Sequence, residues 1–207
     1  LSQKDITYAE ELGYKIKLLG IAKSQNADVE IRVHPTLVPK NRLVANVDGA
    51  MNAVLVHGNM VGPTLYYGAG AGAEPTASAV VADVIDIARQ TKLSQNTLIP
   101  SLGFMPDKIN EKNILSIENI ISEYYLRFTM KNQAGLLAKI TNIFADHDIS
   151  INSMVHKEVQ ENNQNPDIFL ITSKTKEADI DTIISEIELL PENTEKVVKI
   201  RTEELNK

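Results

Sequence analysis

YYLRFTMKNQAGLLAKITNIFADHDISINSMVHKEV, residues 124–159, changes its hydrophobic period twice. From 124 to 130, Leu126, Phe128 and Met130 fall on one side and Tyr125, Arg127 and Thr129 on the other, the two-residue alternation of a strand. From 135 to 146, Leu136, Leu137, Ile140, Ile143 and Phe144 recur at helical spacing on one face. Residues 149–159 return to a strand pattern, and 161–166 read as a polar loop. A third strand follows at 168–173, and Ile180, Ile183, Ile184 and Ile187 mark a second amphipathic helix before a closing strand at 197–201. The order βαββαβ predicts an antiparallel four-stranded sheet with both helices on one face, the ferredoxin-like arrangement.

Upstream the pattern differs. Residues 6–12 read as the end of a helix stopped by Gly13, followed by strands at 14–23 and 29–37. The second of these alternates Val29, Ile31 and Val33 with Glu30, Arg32 and His34. Residues 51–57 and 60–67 suggest a hairpin around the turn pair Gly58-Asn59. The chain then passes through GAGAGAEPT (68–76) into a helix at 75–90, with Pro75 in a first turn where its missing N–H costs nothing. This helix is apolar nearly all round: Ala77, Val80, Val81, Val84 and Ile85 form a stripe that Ala79, Ala82 and Ile87 widen. Such a helix is expected to be covered on two sides. The short hairpin sheet is the expected cover for one; a dimer partner or, preferably, an upstream domain covers the other. The fold class is α+β, a mixed-sheet first domain followed by the ferredoxin-like second one.

The boundaries drawn from composition are 1–92 and 119–207, joined by a linker at 93–118 that packs locally through Leu98, Ile99 and Phe104. The first hundred residues carry equal numbers of basic and acidic groups and eight of the ten glycines, so the remainder carries the whole net charge of -6. With 21 Lys and Arg against 27 Asp and Glu, the chain lacks the clustered positive charge that nucleic-acid binding needs. The absence of cysteine excludes a disulfide framework and suits a reducing cytoplasm. No apolar run is long enough for a membrane span, and no signal peptide pattern is present. At 207 residues the two halves are each small enough that partner surface is expected, and at least a dimer is predicted, through edge strands of the first half and side-by-side sheets of the second. Because the first residue is Leu1 and not Met, the chain reads as a piece whose upstream part is missing.

Two stretches carry chemistry. Gly68, Gly70 and Ala73 satisfy the loose dinucleotide spacing G-x-G-x-x-(G/A), but no acid-tipped strand follows about 20 residues on, so an autonomous nucleotide-binding unit is not expected. What remains is a glycine loop that lets a ligand approach the backbone at a helix start, against the simpler reading of a tight turn. In KNQAGLLAKI, Gly135 permits a sharp turn that leaves helix N-terminal N–H groups for an amino-acid carboxylate, with Asn152 on the neighbouring strand as a nearby polar group. The simpler alternative there is a turn with no ligand. His34, His57, His147 and His156 lie too far apart for a metal motif, no nucleophilic triad suggests itself, and no residue qualifies as a catalytic acid or base.

ELGYKIKLLGIAK, IRVHPTLVP, MNAVLV and YYGAGAGAEPTASAVVADVIDIAR resemble the C-terminal part of homoserine dehydrogenase, and YYLRF, GLLAKI and ISINSM resemble the ACT domain that many bacterial members carry after it. The resemblance implies NADP- or NAD-dependent interconversion of L-aspartate 4-semialdehyde and L-homoserine, in threonine, methionine and isoleucine biosynthesis. It also implies that the nucleotide-binding domain, the catalytic lysine and the monovalent-cation ligands would precede Leu1, so that Lys15 and Lys17 are not that lysine and the chain alone is inactive. The position that carries over toward the cofactor is Gly72, with Gly70 and Ala71 as weaker neighbours. The 1–92 part then becomes the remainder of the substrate and dimerisation domain. The 119–207 part becomes an ACT domain with L-threonine as its expected effector and Asn132, Gly135, Leu136 and Asn152 as effector contacts. Where the family often has an Asp and a Pro before the glycine, this chain has Asn132 and Ala134, and His156 stands where a Gln is common. The loop thereby lacks a carboxylate for a ligand ammonium. The alternative reading is a free-standing amino-acid sensor whose first half serves only dimerisation.

Overall fold

The structure is a computed structural model that describes residues 1–25, 28–91, 100, 103–157 and 165–205. Its elements run α1 (Gln3–Glu11), β1 (Tyr14–Gln25), β2 (Asp28–Pro39), β3 (Met51–Gly58), β4 (Gly62–Ala69) and α2 (Ala73–Gln90). They continue with β5 (Asn113–Ile114), β6 (Ile121–Ser122), β7 (Tyr124–Thr129), α3 (Leu136–Asp146) and β8 (Ile151–Lys157). The last are β9 (Asp167–Thr172), β10 (Thr175–Lys176), α4 (Glu177–Glu188) and β11 (Val198–Thr202). Two compact units result, one from Leu1–Ala45 with Asn113–Asn206 and one from Asn46–Lys112.

In the first unit β11, β7, β9 and β8 lie side by side and antiparallel, the strand order of the expected βαββαβ sheet. The alternation in β7 sorts its side chains as read. Tyr124, Leu126, Phe128 and Met130 join Leu136, Ile140 and Phe144 of α3 and Ile180, Ile183 and Ile187 of α4 in one apolar core. The opposite face is also covered, which the alternation did not announce. Tyr125, Phe169, Ile171 and Ile200 pack with Leu37 of β2 and Ala9 of α1, with Tyr8 and Leu12 partly buried against them. All six residues of β7 and all six of β9 are therefore buried.

The sheet does not stop at β11. Arg201 and Thr202 pair in parallel with Thr36 and Leu37 of β2, and β1 continues the sheet beyond through a twelve-rung antiparallel ladder with β2. The division expected at residue 92 thus differs from the compact units: residues 1–45 fold with the second half. Ladder hydrogen bonds join them, and composition carries no trace of such bonds. The linker differs too, since Asn113 and Ile114 add to β2 as β5, while Phe104 is 67% exposed and packs into no core. Leu98 and Ile99 lie outside the described residues, as do 158–164, which include the end of the expected 149–159 strand and most of the polar loop.

The second unit holds the hairpin and α2. The hairpin register pairs Gly58 with Gly62, so the connection is the three residues Asn59, Met60 and Val61 and not a two-residue Gly58-Asn59 turn. The helix begins at Ala73, two residues earlier than expected, which puts Pro75 at its third position. The expectation that the hairpin sheet covers one side of α2 is not met: no α2 residue is buried, and Val80, Val81, Val84, Ile85 and Ile87 are each 45–61% exposed. Two short strands offer too little surface for an 18-residue helix, and a two-stranded ribbon is marginal by itself.

Candidate functional site

Gly70, Ala71 and Gly72 lie together in the exposed connection between β4 and α2. Gly70 donates its N–H to the Ala50 carbonyl at 3.2 Å, and a Cβ there would fall 1.3 Å from Nδ2 of Asn52, so this position admits no side chain without displacing Asn52. Gly72 is the N-cap of α2 at φ +138° and ψ 152°, a conformation side chains avoid, and its carbonyl accepts the Thr76 N–H at 3.1 Å. From Gly68 to Ala73 no side chain exceeds a methyl group. The first-turn N–H groups of Ala73 and Glu74 precede the first intrahelical donor, Thr76, and Pro75 contributes none. The loop therefore offers bare backbone donors to a ligand, next to the Glu74 carboxylate.

The second candidate set divides. Gly135 is the left-handed N-cap of α3, at φ +83°, and its carbonyl accepts the Lys139 N–H at 3.0 Å. Asn132 is exposed in the loop before it. Leu136, by contrast, is 4% exposed with its side chain in the core, and its N–H donates to Gln133 O at 3.2 Å, so it presents neither group to a ligand. Asn152 is at the wrong end of the sheet. Register places Thr129, Asp167 and Lys157 in line at the end where the 130–135 loop begins, and Tyr125, Ile171 and Ser153 in line at the other. Asn152 is the extra residue of a bulge between Ile151 and Ser153, and its Nδ2 donates to the Thr172 carbonyl at 3.1 Å and faces Glu123 Oε1 at 3.5 Å. It closes the bulge. Within one chain it does not meet Gly135.

A carboxylate that sequence reasoning missed stands beside the 130–135 loop. Glu192, 5% exposed, accepts the Lys131 N–H on its carbonyl at 2.9 Å and pairs with Lys139 Nζ of α3 at 2.5 Å. That lysine's hydrogen bond holds the Glu192 carboxyl below the usual carboxylate range. The distance in sequence, 53 residues from Lys139, leaves no local pattern by which to find it.

Three further buried charge groups belong to the sheet. Glu177, at the start of α4, accepts from Tyr124 OH at 2.9 Å and from Arg201 Nε at 2.7 Å and also pairs with Lys199. Burial pushes its carboxyl up, but the Arg201 and Lys199 bonds outweigh that and hold it low. Glu203 bridges Arg32 at 2.7 Å and Lys23 at 2.6 Å, lining an open cleft with Glu123, Glu204 and Lys174, where Lys174 pairs with Glu204 at 3.8 Å. The third group, around Arg127, fastens α1. Of the histidines, His34 takes part in short bonds with Pro35 O and Thr36 Oγ1, each 3.0 Å, with burial lowering its pKa; His147 faces Glu186 at 2.8 Å. Among the described residues no group of three or more His, Asp or Glu is arranged to hold a metal ion, and no helix is long and apolar enough to cross a membrane.

Comparison with known proteins covers both halves. The homoserine dehydrogenase family model matches residues 1–85 and the ACT domain model matches residues 124–192. Homoserine dehydrogenase of Pseudomonas aeruginosa is 45% identical over 206 residues, which is 100% of this chain and 48% of that protein. The Neisseria gonorrhoeae homoserine dehydrogenase is 47% identical over 206 residues, again 100% of this chain and 47% of the relative. The crystal structure of a homoserine dehydrogenase from Thiobacillus denitrificans superposes with a TM-score of 0.90 at 51% identity, covering 100% of this chain and 46% of that one. The chain thus spans just under half the length of these relatives.

Proposed function

The chain corresponds to the C-terminal part of homoserine dehydrogenases, and from that premise we propose that it serves an NAD(P)-dependent enzyme interconverting L-aspartate 4-semialdehyde and L-homoserine, a step toward threonine, methionine and isoleucine. The observation that carries this reading is the unbroken match along both halves at 45% and 47% identity. A first half that matches homoserine dehydrogenase does not suit a free-standing sensor with a generic dimerisation arm.

In this reading the bound nicotinamide cofactor supplies hydride acceptance and donation. The loop at Gly70, Ala71 and Gly72 lets the cofactor approach the backbone, and the first-turn N–H groups of Ala73 and Glu74 would hold it there. The Glu74 carboxylate opposes an added phosphate there, so the loop suits an uncharged carbonyl oxygen such as a carboxamide. No proton transfer is assigned to a side chain of this chain, and the chain alone is expected to be inactive.

The test is a chimera in which this chain replaces the corresponding C-terminal part of the Neisseria gonorrhoeae relative. Oxidation of L-homoserine, followed by formation of reduced nicotinamide, is expected from the chimera and not from the isolated chain. A folded chimera without turnover, or turnover by the isolated chain, would overturn the reading. Gly72→Val in the active chimera is expected to raise KM for the cofactor by at least about tenfold, since it removes a conformation on which the loop depends. For the second half we propose amino-acid sensing at the Gly135 turn, with Glu192 in place of the carboxylate that Asn132 does not supply. Calorimetric titration of L-threonine, against L-methionine and L-homoserine, should show selective heat that Gly135→Val abolishes; no heat from a folded sample leaves this half an assembly element. We also propose a homo-oligomer of at least two copies, which sedimentation of the chain at micromolar concentration tests: a monomer refutes it.

A further inference from the structure

The face of the β11-β7-β9-β8 sheet opposite α3 and α4 is where the two matched families meet. Helix α1 lies within the residues matched to homoserine dehydrogenase, and β7 and β9, on which it packs, lie within those matched to the ACT domain. The Tyr8 ring stacks on Phe169 with centroids 4.3 Å apart and planes 11° from parallel, and Lys157 stands over Tyr8 at 5.1 Å while pairing with Glu11 at 2.5 Å. Beneath lie two fully buried carboxylates. Asp5 accepts from Arg127 Nε at 2.6 Å and from Tyr125 OH at 3.3 Å. Asp167 accepts from Lys4 and Tyr8, both at 3.1 Å on one oxygen, and from Thr129 Oγ1 at 2.7 Å on the other. Arg127 donates to the same Thr129 hydroxyl at 3.2 Å. An apolar contact of this size would hold a short helix as well; buried charges add dependence on one geometry.

That geometry continues into the loop before Gly135. Thr129 ends β7, and its carbonyl accepts the Thr194 N–H at 3.0 Å. The next two N–H groups, of Met130 and Lys131, donate to Pro166 O at 3.1 Å and Glu192 O at 2.9 Å. Pro166 is the neighbour of Asp167 in sequence. The entry to the 130–135 loop and helix α1 therefore grip Asp167 and its chain from two sides.

We propose that α1 is the element that couples the 130–135 loop to strands β1 and β2, with Arg127 and Asp167 as the positioning residues of the link. It rests on the sensing role proposed for the Gly135 turn. A displacement of the loop moves Thr129, which shifts both carboxylate bonds, and α1 follows; loosening α1 acts in reverse, as any equilibrium coupling must.

Amide hydrogen exchange in this chain tests it without a ligand and without activity. Asp5→Asn is expected to speed exchange at Met130 and Lys131 by about tenfold, and Gly135→Ala to speed exchange within α1 by a similar factor, while Leu189 and Leu190 beyond α4 stay within about twofold. Asp5→Glu, which keeps the charge, should return much of the protection. Unchanged exchange at Met130 and Lys131, or an even rise that includes α4, overturns the proposal. Should Asp5→Asn fail to fold, Tyr8→Phe removes one hydrogen bond to Asp167 and is read at the same amides. Sensing itself is read by calorimetric heat with L-threonine, and the link by exchange without ligand, so the two proposals fail by different observations.

Discussion

Gly135 and Asp5 show what single residues decide here. A Cβ at Gly135 would meet nothing within 4 Å, so replacing it with alanine changes only the backbone term. At φ +83° that term is about 1–2 kcal/mol, and Gly135→Ala should lose that much in urea unfolding. Asp5 acts through charge. Burial alone would raise its carboxyl pKa, but the hydrogen bond from Arg127 and those from Ser2 outweigh it and hold the group below its ordinary 3.8; Asp167 is likewise held low by Thr129 and Lys4 against burial. A carboxyl whose folded pKa is depressed stabilises the fold above its unfolded value and ceases to do so as pH falls through the folded one. The urea midpoint should accordingly stay level down to about pH 4 and decline below it. Asp5→Asn should lower stability near neutral pH by about 1–3 kcal/mol, through loss of the charge-assisted bond from Arg127, which keeps Asp167 at 3.6 Å and Glu195 at 3.7 Å, and make the acid decline shallower. A variant with an unchanged acid limb would show that Asp5 has no part in it. The turn at Gly135 was legible in sequence because glycine before a helical period has few other uses. The Asp5–Arg127 pair, 122 residues apart, was not, since an ion pair leaves no periodicity.

Helices α2 and α3 look alike as patterns and differ as elements. Both have apolar positions at helical spacing, yet Ile140 of α3 is fully buried and Val84 of α2 is 60% exposed in this chain. Ile140→Ala should cost about 2–5 kcal/mol, whereas Val84→Lys should stay within about 0.5 kcal/mol in the isolated chain. Parallel denaturant titrations of the two variants compare them directly, and an equally large loss from Val84→Lys would mean that α2 is covered in solution. The strands were read well where side chains alternate, as in β7. The joining of β11 to β2 was not, because pairing through backbone N–H and C=O groups is indifferent to side-chain type. The 59–61 hairpin loop was misread for a related reason: Gly58-Asn59 is a good turn pair, but Gly62 sets the register.

Over the whole molecule, the family match and the compact units divide the chain differently. Residues 1–45 match with the catalytic family and fold with the ACT sheet. Residues 119–206 expressed alone would uncover Tyr125, Phe169, Ile171 and Ile200 together, an apolar face of the kind that drives association. That piece is expected to bind a hydrophobic dye and to aggregate, and the full chain to do neither. A well-behaved 119–206 domain would show that α1 and β2 are dispensable to the sheet. Of the candidate site residues, those defined by backbone conformation, Gly70, Gly72 and Gly135, were legible because glycine loops before helices recur in few settings. Glu192 and the misplaced Asn152 depend on which end of which strand faces which loop, and that follows only from the sheet register.

The position of β11 has a consequence for how this protein is made. β11 fills the lane between β2 and β7, yet it is synthesised after every other described strand of that sheet. Until residue 202 has left the ribosome, β2 and β7 each present a row of unpaired backbone groups to an empty lane, the condition under which strands find foreign partners. The sheet of the first unit can therefore close only after β11 has been made. A chain stalled before Val198 would leave both sides of that lane open, and during that interval holding chaperones have the most to do.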